Sequence, residues 1–90
     1  MNIAEIINTF SLTVEQFKRL TNQQLSILWY ICEFGSISPM EAFSDLYVTK
    51  LATRISEMKA IGIQFSQGYE GRENRFGKKV RYMRYRKAAA

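Results

Sequence analysis

The stretch Ser36–Phe65 reads SISPMEAFSDLYVTKLATRISEMKAIGIQF. It holds the signals for two helices with a tight turn between them, and most of those signals are local. Ser38 offers an N-cap oxygen, Pro39 takes the first helical position, where no amide donor is needed, and Glu41 closes a capping box. This predicts a short helix over about Pro39 to Ser44, with Met40, Ala42 and Phe43 available for packing. Asp45-Leu46-Tyr47 is expected to turn the chain. A second helix is expected from about Val48 to Ala60, because Val48, Leu51, Ile55 and Met58 recur at helical spacing and form an inner stripe. Gly62 is its stop signal.

Upstream, the same capping device recurs. Thr13 with Gln16 opens a short helix carrying Val14, Phe17 and Leu20, and Thr21 with Gln24 opens a longer one. In the longer helix Leu25, Leu28, Trp29 and Cys32 form one face. Ile27, Tyr30, Ile31 and Phe34 make it apolar nearly all round, as in a helix buried on more than one side. Gly35 is a natural C-terminal cap. Ile3, Ile6, Ile7 and Phe10 make an apolar stripe on an N-terminal helix, so the second side of the long helix is expected to meet that stripe or another copy of the chain.

Downstream of Gly62 the period changes. Ile63-Gln64-Phe65-Ser66 alternates as a strand does, and Gly68 to Gly77 is polar and glycine-containing, the composition of a long hairpin tip. Lys79 to Arg86 alternates again, with Val80 and Tyr82 on one face and Arg81, Met83 and Tyr85 on the other. Either face could pack inward. Glu70 to Lys87, EGRENRFGKKVRYMRYRK, carries eight Lys and Arg against two Glu, a net +6. The 69 residues before it carry five positive and six negative side chains, so the chain's net charge of +5 is a local feature. A concentrated positive patch on a small domain is the electrostatic footprint of a polyanion binder, and nucleic acid is the commonest polyanion. The plain alternative is a solvated basic tail. The apolar residues Tyr82, Met83 and Tyr85, interleaved with its charges, argue against it.

Ninety residues make one small domain, burying only about 60–65% of its unfolded surface. No apolar run approaches the roughly 20 residues of a membrane span, and the N-terminus lacks the basic lead and apolar core of a signal peptide. The single cysteine, Cys32, lies in an apolar run, as expected of a reduced, cytoplasmic core residue. There is no histidine, which removes the usual neutral-pH proton shuttle and the commonest zinc ligand. The acids before residue 70 show no metal-ligand spacing and no glycine loop could cradle phosphate. No catalytic residue, metal site, cofactor or small-molecule substrate is expected, and a binding module is favoured over an enzyme.

In the order SPMEA, LATRISEMKAIGI, NRFGKKVRYMRYR, the chain resembles the small winged helix-turn-helix domains carried by many bacteriophage and prophage genomes. The resemblance covers about Thr21 to Lys87. It implies an α+β, mostly α fold: a three-helix core with a C-terminal β-hairpin wing, here preceded by an N-terminal helical extension. Residues 1–20 would be that extension and a possible dimerisation element, and residues 21–87 the domain. The closing residues 88–90 have no packing logic and read as a vector scar. The resemblance further implies double-stranded DNA as partner, the second helix of the motif in the major groove and the wing on the backbone. The residues agree: the outward face of the second helix would present Thr49, Lys50, Thr53 and Glu57, with Arg54 on its flank. Lys and Arg suit guanine edges, and Thr suits thymine methyl or phosphate. An ordinary polar face with an Arg54–Glu57 pair at i, i+3 is the plainer reading of that helix alone. Arg72, Arg75, Lys78 and Lys79, with Arg81 and Arg84, are the wing's phosphate candidates.

Two roles fit. One is a DNA-binding transcription regulator or excisionase-like accessory factor, working in the bacterial host's cytoplasm at the nucleoid. The other is a winged helix redeployed as a protein-binding inhibitor of a host system. The surplus apolar surface of the N-terminal and long helices leads to the expectation of a homodimer, which would present two recognition helices to two half-sites.

Overall fold

In the computed structural model, which describes residues 2–88, five helices precede one antiparallel hairpin: α1 (Ile3–Phe10), α2 (Val14–Lys18), α3 (Asn22–Phe34), α4 (Pro39–Leu46), α5 (Leu51–Ala60), β1 (Phe65–Glu73) and β2 (Lys79–Lys87). Of the three closing alanines, residues 89 and 90 lie outside the described range.

Local chemistry sets most of the helix ends. Thr13 and Gln16, Thr21 and Gln24, and Ser38 and Glu41 each form the reciprocal capping box that their spacing predicts. Gly35 ends α3 in the left-handed region at φ +86°, where a residue without Cβ meets no steric penalty. Two boundaries differ from expectation. Helix α4 runs on through Asp45 and Leu46, and the turn is made instead by Tyr47, a non-glycine residue at φ +58°. Helix α5 starts at Leu51 rather than Val48. Val48 is fully buried, as its stripe position requires, but its amide donates back to the carbonyl of Ala42 at 3.0 Å, which holds the chain in the turn. Thr49 and Lys50 therefore precede the second helix of the motif instead of riding on it.

The core is continuous through α3, α4 and α5. Ile27, Leu28, Tyr30 and Ile31 of α3, Ala42 of α4, and Leu51, Ile55 and Met58 of α5 are buried together with Ile37, Val48, Ile63 and Tyr85. Burial of each large aliphatic chain contributes about 1.5–3 kcal/mol, so these positions dominate the driving force. The leading face of α3 is not the expected one: of Leu25, Leu28, Trp29 and Cys32 only Leu28 is fully buried; the others are half-buried, Trp29 and Cys32 packing against the core. Burial also pushes the Cys32 thiol pKa up, against a hydrogen bond from Thr9 that lowers it, so the thiol stays a protonated packing group. Met40 and Phe43, expected to pack, are exposed, and α4 contributes Ala42 instead.

The second side of α3 is covered by α1. Ile6 is 1% exposed, Ile7 and Phe10 pack against the core, and the Phe10 and Phe65 rings lie 5.7 Å apart. Ile3 remains partly open. The apolar stripe that motivated a homodimer is thus largely covered within the chain.

The hairpin is longer and its tip shorter than the composition suggested. Nine residue pairs, from Phe65↔Lys87 to Glu73↔Lys79, are in register, so Gly68 to Glu73 are strand rather than tip. Only residues 74–78 turn the chain. Ile37, just before α4, exchanges both backbone hydrogen bonds with Tyr85 at 2.9 Å and ties the base of β2 to the helical layer. The inward face is now defined: Tyr85 is buried, with Met83 and Phe65 packed beside the core, while Val80, Tyr82 and Arg84 lie on the opposite face toward α4.

Candidate nucleic-acid interface

Helix α5 buries Leu51, Ile55 and Met58 and turns Ala52, Thr53, Ser56, Glu57, Lys59 and Ala60 outward. Its N-terminus differs from those of the other four helices. Asn2, Thr13, Thr21 and Ser38 each cap their helix with a side-chain oxygen, whereas Lys50 caps α5 with none. Its first-turn amides therefore keep free donors on an exposed surface beside Thr49, Lys50 and Thr53, the arrangement that favours an anionic oxygen.

Arg54 sits differently. It is half-buried, its guanidinium lies 3.3 Å from Glu57 Oε2, and its Nε is buried with no hydrogen-bond partner among the described residues. Glu57 Oε1 in turn accepts from Gln24 Nε2 at 3.0 Å, so the acid is anchored to α3. The i, i+3 pair weighed as the plain reading of this helix is therefore formed, and Arg54 would have to leave Glu57 to reach a base.

On the hairpin, Arg72, Arg75, Lys78, Lys79, Arg81, Arg86 and Lys87 are exposed, and among the described residues none of them is in an ion pair. Arg81 lies over the Tyr69 ring at 4.5 Å, a cation–π contact that orients the guanidinium without neutralising it. Arg72 and Arg81 rim a groove of about 390 Å³ floored by Met40, Val80 and Tyr82, between the start of α4 and the wing.

Arg84 has another place. Its side chain is 15% exposed; it donates to Glu41 Oε1 at 2.8 Å and Ser36 Oγ at 3.0 Å, and it pairs with Glu70. Burial works against its charge, but the Tyr82 side chain and the hydrogen bonds to Glu70 and Glu41 outweigh it and hold the pKa above the ordinary arginine value. Glu41 Oε1 also accepts from Ser38 N–H at 2.9 Å, so one carboxylate both caps α4 and holds the wing. The charge of Arg84 is used inside the fold.

A helix–turn–helix of α4 and α5 standing on α3, followed by a hairpin tied back through Ile37, is the geometry of one known family. The family model described as a winged helix-turn-helix domain matches residues 22–86. The chain belongs to the winged helix-turn-helix family. No curated protein and no solved structure matches it significantly. In this winged helix, α3 to α5 are the three core helices, α4 and α5 are the helix-turn-helix pair, and β1–β2 are the wing. The family match begins with α3, whereas α1 supplies Ile6 to the same core.

Sequence reasoning passed over Ala52, Ser56 and Lys59. Ser56 follows Thr53 by one helical turn, a signal that becomes readable once the helix is started at Leu51. Lys59 is tied by a hydrogen bond to Gln67 of β1, a contact with no local signature.

Proposed function

We propose that the protein binds double-stranded DNA, with α5 entering the major groove and the wing lying along the phosphates. The observation that carries this is the hairpin's set of seven exposed cations, none of them in an ion pair among the described residues, together with a helix α5 whose N-terminus has no side-chain cap. Duplex DNA carries one charge per about 1.7 Å of axis, so such a row gains by releasing condensed counterions. Lys50, Thr53 and, once freed from Glu57, Arg54 would make base or near-base contacts. Thr49 and the first-turn amides suit phosphate. Arg72, Arg75, Lys78, Lys79 and Arg81 would supply sequence-independent affinity, and Arg84 would support the wing from behind. The role that fits is a transcription regulator or architectural accessory factor of the kind carried by bacteriophages, acting in the cytoplasm of a bacterial host. A second copy is not required by this reading, since α1 uses its apolar face within the protomer.

Selection of bound fragments from a random duplex pool, followed by titration of the enriched duplex across a salt series, tests the proposal. A defined enriched sequence and an affinity that falls steeply with salt support it. Weak duplex binding without sequence preference would contradict it and favour a protein-binding role.

A further inference from the structure

The tip of the wing is built around Asn74. Its Oδ1 accepts from the amides of Phe76 at 2.9 Å and Lys78 at 3.1 Å. Its own amide donates to the Lys78 carbonyl at 2.8 Å, and the Gly77 amide donates to the Asn74 carbonyl at 3.0 Å. Gly77 supplies the positive φ, +78°, that lets the loop close. Four hydrogen bonds within five residues make this a fixed platform.

The platform displays Phe76, which is 83% exposed and touches neither the core nor any aromatic neighbour among the described residues. Arg75 and Lys78 stand on either side of it in sequence, with Arg72 and Lys79 close behind at the end of the ladder. A phenyl ring so exposed at the apex of a basic ribbon does nothing for the fold. Its surroundings suit a ligand that is polyanionic outside and flat and apolar inside, which describes a duplex. A two-stranded ribbon, with strands about 4.8 Å apart before side chains are added, is too wide for a minor groove about 6 Å across. One side chain at the apex is not. Apolar wedges in that groove unstack a base step and kink the duplex.

We propose that Phe76 is such a wedge: it enters the minor groove beside the α5 site and partly unstacks one base step, while Arg75 and Lys78 hold the flanking phosphates. This rests on the duplex-binding reading and adds to it a source of selectivity. Pyrimidine–purine steps yield most easily, so the preferred site carries a TA or CA/TG step at a fixed distance from the bases under α5.

The test uses the full chain, Phe76→Ala and Phe76→Leu, with the selected duplex carrying 2-aminopurine at successive steps and a donor–acceptor dye pair at its ends. The parent is expected to raise 2-aminopurine fluorescence several-fold at one step and to shorten the end-to-end distance. Phe76→Leu should keep both effects. Phe76→Ala should lose both and bind several-fold more weakly, with the salt slope of binding unchanged and the melting curve matching the parent's. A Phe76→Ala variant that bends and unstacks like the parent overturns the wedge. So does a parent that binds with its full salt dependence yet brightens no step, and that result leaves duplex binding standing. No duplex binding at all overturns the wedge and the proposed function together.

Discussion

Arg84→Gln separates a structural arginine from a DNA-contacting one. In the structure the guanidinium joins its own strand β2 to Ser36 and Glu41 at the start of α4 and to Glu70 on β1. The carboxylates are 37% and 46% exposed, so each ion pair is screened and contributes no more than about 1 kcal/mol. The hydrogen bond to Ser36 adds about 0.5–1.5 kcal/mol. Glu41 keeps its bond to Ser38 N–H and Glu70 can turn to water, so neither acid is stranded. The substitution should therefore cost about 2 kcal/mol. For a domain of this size that lowers the melting temperature by roughly 8–16 °C. Circular-dichroism melts read the stability, and titration of the enriched duplex at several salt concentrations, below both melting points, reads the phosphate contacts. The expected result is a lower melting temperature with an unchanged salt slope. An unchanged melt with a slope reduced by about 0.9, one phosphate contact, would refute the structural role and put Arg84 on the DNA.

Other outcomes follow from the same contacts. Ile6→Ala should cost about 2–5 kcal/mol by leaving a cavity under α1, measured by urea unfolding; a neutral result would mean that α1 is not part of this core. Tyr30, hydrogen-bonded to Asp45 and buried beside it, has its pKa pushed up from 10.0 to about 12. A raised pKa favours the protonated fold, so its contribution is whole below pH 10.0 and is lost as pH climbs toward 12; melts over that range should fall more steeply for the parent than for Tyr30→Phe, and parallel curves would contradict the bond. Glu57→Gln removes the partner that holds Arg54 and one like charge facing phosphate, so duplex affinity should rise a few-fold at low salt, whereas a weaker complex would show that Glu57 itself reads a base.

What could be read in advance was local. The capping boxes at Thr13, Thr21 and Ser38 and the glycine cap at Gly35 each need only a few neighbouring residues, and each formed as the spacing predicts. The Leu51/Ile55/Met58 stripe was legible for the same reason. What misled was composition without partners. Gly68 and Gly71 resemble loop residues, yet a two-stranded ribbon projecting from the core demands no apolar alternation, and the ladder carries them as strand. The start of α5 was hidden because Val48 is buried without being helical, held by a hydrogen bond from its amide to the Ala42 carbonyl that no periodicity reports. Arg84 was indistinguishable from its basic neighbours until the chain brought Glu41 and Ser36 to it from more than 40 residues away. Starting α5 at Val48 instead of Leu51 puts Thr49 and Lys50 on the helix and leaves Ser56 out, whereas Thr53 and Glu57 do face outward.

The most direct test of the central claim is the salt dependence of duplex binding by the double variant Arg75→Gln/Lys78→Gln. Both side chains are exposed at or beside the wing's tip, neither has a carboxylate partner among the described residues, and neither packs in the core. If the wing lies on phosphates, the double variant should bind every duplex more weakly by a similar factor and flatten the log–log salt slope by up to about two units, with an unchanged melting curve. A salt slope equal to the parent's would show that the basic hairpin is not on the DNA and would contradict the account.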